Sequence, residues 1–169
     1  MNATLSAWND AEQEESIAAL LSCCAAQRWA EGVALLRPFA NEEALFAAAD
    51  RVWTEMREDD WMQAFRAHPR IGDRKPAHAT AQSSAWSRQE QASTNDARTE
   101  VLTRLAEGNL HYEQLFGFTY IVCATGKSAE EMLQILVRRL ARDRETELRE
   151  AAEQQRQITQ IRLRKWLQI

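Results

Sequence analysis

Glycine and proline are scarce in this chain, five and three among 169 residues, which leaves little of the punctuation that hairpins and turn-rich sheets require. Cysteine is scarcer than a disulfide framework needs. Cys23 and Cys24 are adjacent, a poor arrangement for a bridge, and Cys123 leaves the number odd, so a reducing compartment is expected. His68, His78 and His111 are scattered, and no CxxC, HxxxH or HExxH spacing occurs; neither a structural nor a catalytic metal is expected. No apolar run approaches the length of a membrane span, and residues 1–10 lack the basic start and apolar centre of a secretory signal. No membrane association and a cytoplasmic location are therefore expected. Positive charge is not in excess either. A net charge of −4 gives no general attraction to nucleic acid or anionic lipid, so partners should be small or protein-like.

What is abundant is Ala, Leu, Glu, Gln and Arg, a composition that argues for helix nearly throughout. Residues 41–56 show it well: Asn41 can cap, and Leu45, Ala49, Val52 and Met56 recur at helical spacing. The same reading predicts helices over about 10–25, 30–36, 59–67, 87–107, 109–116, 128–141 and 143–167. Residues 118–123, β-branched and aromatic between Gly117 and Gly126, are too isolated to make a sheet and read as extended chain or distorted helix. With no internal repeat and no low-complexity linker, residues 1–169 read as one all-α domain, a multi-helix bundle.

Three places depart from that plain pattern. The first is His68-Pro69. Proline disfavours the α region for the residue before it, so the run through Trp61, Met62 and Phe65 should end at His68 and leave an imidazole at a helix end facing a loop. Such a histidine can complement the helix dipole or act as an acid–base group near neutral pH, and both readings stand. Periodicity then vanishes between His68 and Ser87, which predicts a long loop after the His-Pro motif, either a binding element or plain surface.

The second is Ser87-Arg88-Gln89-Glu90, which has the form of a capping box. Glu90 also shares a helical face with Thr94, Ala97, Val101 and Leu105, so the reading turns it toward the interior, where a carboxylate needs a partner or a function. The third is the last helix. Leu148, Ala151, Gln155, Ile158, Arg162 and Trp166 form one stripe, which places a guanidinium in the middle of the face that should be buried, with Arg164 on the opposite side. Arg162 can make an internal ion pair or bind a carboxylate or urea-like group.

In combination these residues resemble a known family. His68-Pro69-x-Ile71-Gly72, Ser87-x-x-Glu90-Gln91, Asn109-x-x-Tyr112-x-x-x-Phe116-Gly117-Phe118 and Ile158-x-x-Ile161-Arg162-Leu163 look like the ordered motifs of 2-oxo-4-hydroxy-4-carboxy-5-ureidoimidazoline (OHCU) decarboxylases, which form (S)-allantoin in urate breakdown. Arg37-Pro38-Phe39 fits as well. Ile71, where leucine is commoner, and Ala92-Ser93-Thr94, where relatives often carry glycine, depart from the pattern. The resemblance implies a cofactor-independent helical lyase, commonly a homodimer, acting on a small ureidoimidazoline. It implies that His68 is catalytic with Glu90 as its acidic partner, and that Ser87, Gln91 and Arg162 bind substrate. It further implies that Pro69 and the segment containing Phe118, Ile121, Val122 and Cys123 contact substrate, the segment through its backbone. Two other readings stand beside it. One is a small helical interaction or regulatory protein docking through its Arg-rich segment 138–149; the other is an unrelated cofactor-free hydrolase using His68 and Glu90. The acids interspersed in 138–149 are more typical of a solvated helix than of a docking patch.

Overall fold

The computed structural model describes residues 2–70, 81–90 and 99–169, with Ala81 and Glu90 described in backbone only. Among the described residues there are nine α-helices and no strand. In chain order they are α1 (Ala3–Asp10), α2 (Gln13–Cys23), α3 (Gln27–Ala34), α4 (Glu42–Thr54), α5 (Glu58–Arg66), α6 (Ala81–Glu90), α7 (Thr99–Phe116), α8 (Ala129–Arg139) and α9 (Arg144–Leu167). The chain forms two compact units, Met1–Ala64 with Arg156–Ile169, and Phe65–Gln155.

In the first unit, caps and one arginine fix where helices stop. Asn41 accepts from the Ala44 amide at 2.9 Å, as its position predicts, and Leu45, Ala49, Val52 and Met56 are all buried. Asn2 caps α1 and also donates to the Leu167 carbonyl at 2.7 Å, joining the start of the chain to the end of α9. The sequence pattern did not reveal α1, because only Leu5 and Trp8 of its residues are buried, too few to make a period. Arg37 donates to the carbonyls of Trp8 at 2.7 Å, Ala11 at 2.8 Å and Ala34 at 3.1 Å. It thereby satisfies oxygens that the ends of α1 and α3 leave without helical partners.

In the second unit, α7 runs without interruption through Gly108, where a helix boundary is expected from sequence. A Cβ on Gly108 would stand 2.6 Å from Cδ2 of Leu136 on α8, so this glycine marks a close helix approach and not a break. Ser128 and Glu131 form a capping box at the start of α8. Gly117 takes φ 81° and closes α7 with a 2.8 Å bond to the Glu113 carbonyl. Beyond it residues 118–124 are irregular, neither helix nor strand, with Phe118, Tyr120, Ile121 and Cys123 buried.

A buried polar network anchors that segment. Arg139 donates through Nε to Glu147 Oε2 at 2.8 Å and through Nη1 to the Ile121 carbonyl at 2.6 Å. The Tyr112 hydroxyl donates to the same carboxylate oxygen at 2.5 Å. The Arg139 guanidinium also lies over the Tyr120 ring, 5.0 Å from its centroid. Burial raises the Tyr112 phenol well above its ordinary value and keeps it protonated, although the charge of Arg139 opposes that shift.

The α6 helix corrects the capping-box reading. Residues 81–84, taken from sequence as loop, are already helical, and Ser87 and Glu90 fall in the last turns of α6 instead of its first. The reason lies in what the helix buries: three serines, Ser83, Ser84 and Ser87, with Trp86 as the one large apolar side chain, a pattern that a search for apolar periodicity passes over.

The network yields a stability prediction. Glu147→Ala leaves the Arg139 guanidinium buried without its carboxylate, so the variant should lose about 3–5 kcal/mol. Urea unfolding followed by circular dichroism measures this; a loss below about 1 kcal/mol, the range of an exposed pair, would show that the pair is not holding the unit together.

Candidate functional site

His68 follows the end of α5, and its amide donates to the Phe65 carbonyl at 3.0 Å. Phe65 itself is fully buried and packs on Phe118, ring centroids 5.5 Å apart. The imidazole is thus carried on main chain tied to the core while the ring remains half-buried. Its Nε2 lies 2.6 Å from Oε1 of Gln155 on α9. Gln155 has no exposed surface, so this amide is committed to the interior, where its polar atoms require partners.

Pro69 is half-buried beside His68, and the exposed Arg70 makes two bonds to the Glu113 carboxylate, at 2.7 and 2.6 Å. This pair ties the chain leaving the His-Pro motif to α7. Ser87 is 2% exposed within α6, in the same unit as His68. Glu90 is the last residue of α6; its side chain, together with Ile71, Gly72 and Gln91, lies outside what is described.

In the irregular segment, Phe118, Ile121 and Cys123 bury their side chains and Val122 is half-buried, so polar contacts from Phe118, Ile121 and Val122 must come from main chain. Part of that main chain is already engaged. The Ile121 carbonyl accepts from Arg139 at 2.6 Å, the Cys123 amide donates to Gln154 at 2.8 Å, and the Cys123 carbonyl accepts from Lys127 at 2.7 Å. The N–H groups of Ile121 and Val122 have no hydrogen-bond partner among the described residues.

Arg162 belongs to the first unit and is 3% exposed, whereas Arg164 is exposed, its guanidinium 4.5 Å from the Phe46 ring centroid. Helical phase alone separates the two correctly. Cys23 and Cys24 are free, buried and close enough to Arg162 to feel its charge. Burial pushes both thiols up, Cys24 to about 11, while Arg162 pulls the other way. Among the described residues no three His, Cys, Asp or Glu side chains converge as a metal site requires, and no helix is long and apolar enough to cross a membrane.

Gln155 is the site residue that sequence reasoning missed. A signal was present: a polar amide in the stripe between Ala151 and Ile158. Unlike the charge of Arg162, it did not look anomalous there, since a lone Gln on a helix face is usually solvated.

Comparison with known proteins adds an independent line. The model of the OHCU decarboxylase family matches residues 9–164, running through both units. The uric acid degradation bifunctional protein TTL of Arabidopsis thaliana is 35% identical over 145 residues, which is 85% of this chain and 44% of that protein. The 2-oxo-4-hydroxy-4-carboxy-5-ureidoimidazoline decarboxylase of Haloferax volcanii is 28% identical over 130 residues, 75% of this chain and 73% of that one. A crystal structure of OHCU decarboxylase in the presence of (S)-allantoin superposes with a TM-score of 0.77 at 30% identity, covering 94% of this chain and all of that one. The chain spans less than half the length of the Arabidopsis protein and 26% of the Bacillus subtilis bifunctional protein PucL.

The buried thiols predict an alkaline limit. Cys24 has a native pKa of about 11 against 9.0 for the ordinary thiol. Its contribution to stability is therefore complete below the ordinary value and is lost as pH rises through the native one. Urea unfolding between about pH 8 and 11 should show this decline, reduced in Cys24→Ala. An identical decline in that variant would remove Cys24 as its source.

Proposed function

We propose that this chain, which belongs to the OHCU decarboxylase family, decarboxylates 2-oxo-4-hydroxy-4-carboxy-5-ureidoimidazoline to (S)-allantoin without a cofactor. The observation that carries the reading is His68: an imidazole held at a helix end by the core beneath it and by a buried amide at 2.6 Å, within a match that spans residues 9–164. The chain acts as one functional domain in the cytoplasm, as a homodimer, with no nucleic acid or membrane partner.

The substrate carries its carboxylate and hydroxyl on the same ring carbon, next to the carbon that bears the ureido group. When the bond to the carboxylate breaks, its electron pair moves into the ring toward the imine nitrogen, which takes up a proton. The hydroxyl then becomes a carbonyl as its proton leaves, and the neighbouring carbon gains one. His68 can accept the hydroxyl proton and return it to carbon, and delivery to one face gives one enantiomer. Donors aimed at the developing charge lower the barrier. In this reading Arg162, Ser87 and Gln91 serve the carboxylate and the ring oxygens, while the Ile121 and Val122 amides bind the ureido carbonyl. Pro69 shapes the wall beside His68. Glu90 is the acidic partner, acting on the imidazole or on the substrate hydroxyl. The Cys123 backbone contributes only if Gln154 or Lys127 yields its bond.

Freshly generated OHCU tests this directly, since the protein should speed its loss well above the spontaneous rate. His68→Asn should fall by roughly 10²-fold or more while melting normally; near-normal turnover in the folded variant would remove His68 from the mechanism. Glu90→Gln should lower turnover at little cost in stability, because the substitution keeps the size and hydrogen-bonding reach of the side chain and removes only its charge. Arg162→Lys keeps the charge and loses the planar fork, so kcat/KM should drop by about 1.5–3 kcal/mol, with Arg164→Lys nearly silent. The reverse pattern would mean that the wrong face of α9 has been assigned to the substrate.

A further inference from the structure

We propose that Gln155 is a positioning residue that holds His68 in the tautomer protonated on Nε2, so that Nδ1 is the nitrogen that exchanges the proton during the reaction. The geometry is specific. Nε2 and Oε1 are 2.6 Å apart, shorter than the usual N–H to O separation of about 2.9 Å. An amide oxygen can only accept, so the nitrogen facing it carries the hydrogen, and the lone pair of the neutral ring resides on Nδ1. Gln155 is fully buried on α9, so moving its amide would break polar contacts in the interior.

Two further restraints leave the ring little freedom. The His68 amide is bonded to the Phe65 carbonyl, and Pro69 restricts the His68 backbone to extended conformations. Together with the Gln155 bond they fix the main chain, the ring orientation and the tautomer. This also narrows the role of Glu90. With Nε2 committed to Gln155, a carboxylate serves catalysis only at Nδ1 or on the substrate itself, and it does not select the tautomer. A neutral amide suits the task because it orients the ring without the added positive-charge preference that a buried carboxylate at the same distance imposes.

The assignment of the proton-exchanging nitrogen rests on the decarboxylase reading; the tautomer does not. Nitrogen-15 NMR of histidine-labelled protein, with His68 identified by its loss in His68→Asn, separates the two. Wild type and Glu90→Gln should both show a protonated Nε2 and an unprotonated Nδ1. Gln155→Leu, a substitution suited to the apolar stripe, should show mixed tautomers. Its kcat should be lower by on the order of 10- to 100-fold, the scale for partners that orient a histidine, with KM changed less than about threefold. Gln155→Glu retains the accepting oxygen and should keep Nε2 protonated, with Nδ1 holding its proton to higher pH than in wild type because the carboxylate favours the charged ring. A wild-type ring protonated on Nδ1 would overturn the proposal even if no Gln155 variant folds, as would an unchanged spectrum and kcat in Gln155→Leu. Loss of the tautomer in Glu90→Gln would transfer the role to Glu90 and overturn it too. The expected spectrum from a protein without turnover would sink the decarboxylase reading alone.

Discussion

The Arg139–Glu147 pair is the constraint on which the second unit turns, because a charge with almost no access to water has to be matched within the fold. Matching it takes α8, α9, the Tyr112 hydroxyl of α7 and the Ile121 carbonyl. Through that one carbonyl the network sets where an irregular stretch of chain lies. Irregular main chain is costly to bury, since each amide and carbonyl needs a partner. Residues 118–124 meet that cost in part: Arg139, Gln154 and Lys127 take some groups, and the Ile121 and Val122 amides have no hydrogen-bond partner among the described residues. The polar core and the proposed substrate platform are thus two sides of one segment.

How much of this was legible in sequence depended on whether the physics leaves a period or an anomaly. The α4 helix was readable because a cap and four buried positions agree, and Arg162 because a charge in an apolar stripe is conspicuous. The α6 helix was not, since it buries serines, and the same blindness turned the last turns of that helix into an apparent capping box. Gly108 misled in the opposite sense: glycine weakens helices on average, but in α7 the absence of a side chain admits Leu136 at 2.6 Å from where a Cβ would stand.

The site divides along the same line. The placement of His68 at a helix end follows from the proline after it, a local rule that needs no tertiary information. Its bond to Gln155, 87 residues away in sequence, is a tertiary fact: the stripe of α9 shows an amide among apolar positions but not the partner it faces. The engaged backbone of Cys123 is of the same kind, because only the fold brings Gln154 to its amide. Motif resemblance named the candidate residues; which backbone groups of 118–124 are already engaged came from the packing.

The proposed activity directs a decarboxylation that otherwise proceeds without control of handedness. Circular dichroism of the allantoin formed from freshly generated OHCU tests it most directly. The protein should yield the (S) enantiomer in excess, with a signal that appears as OHCU is consumed and disappears in His68→Asn. Racemic allantoin, formed at the spontaneous rate in the presence of the folded protein, would contradict it.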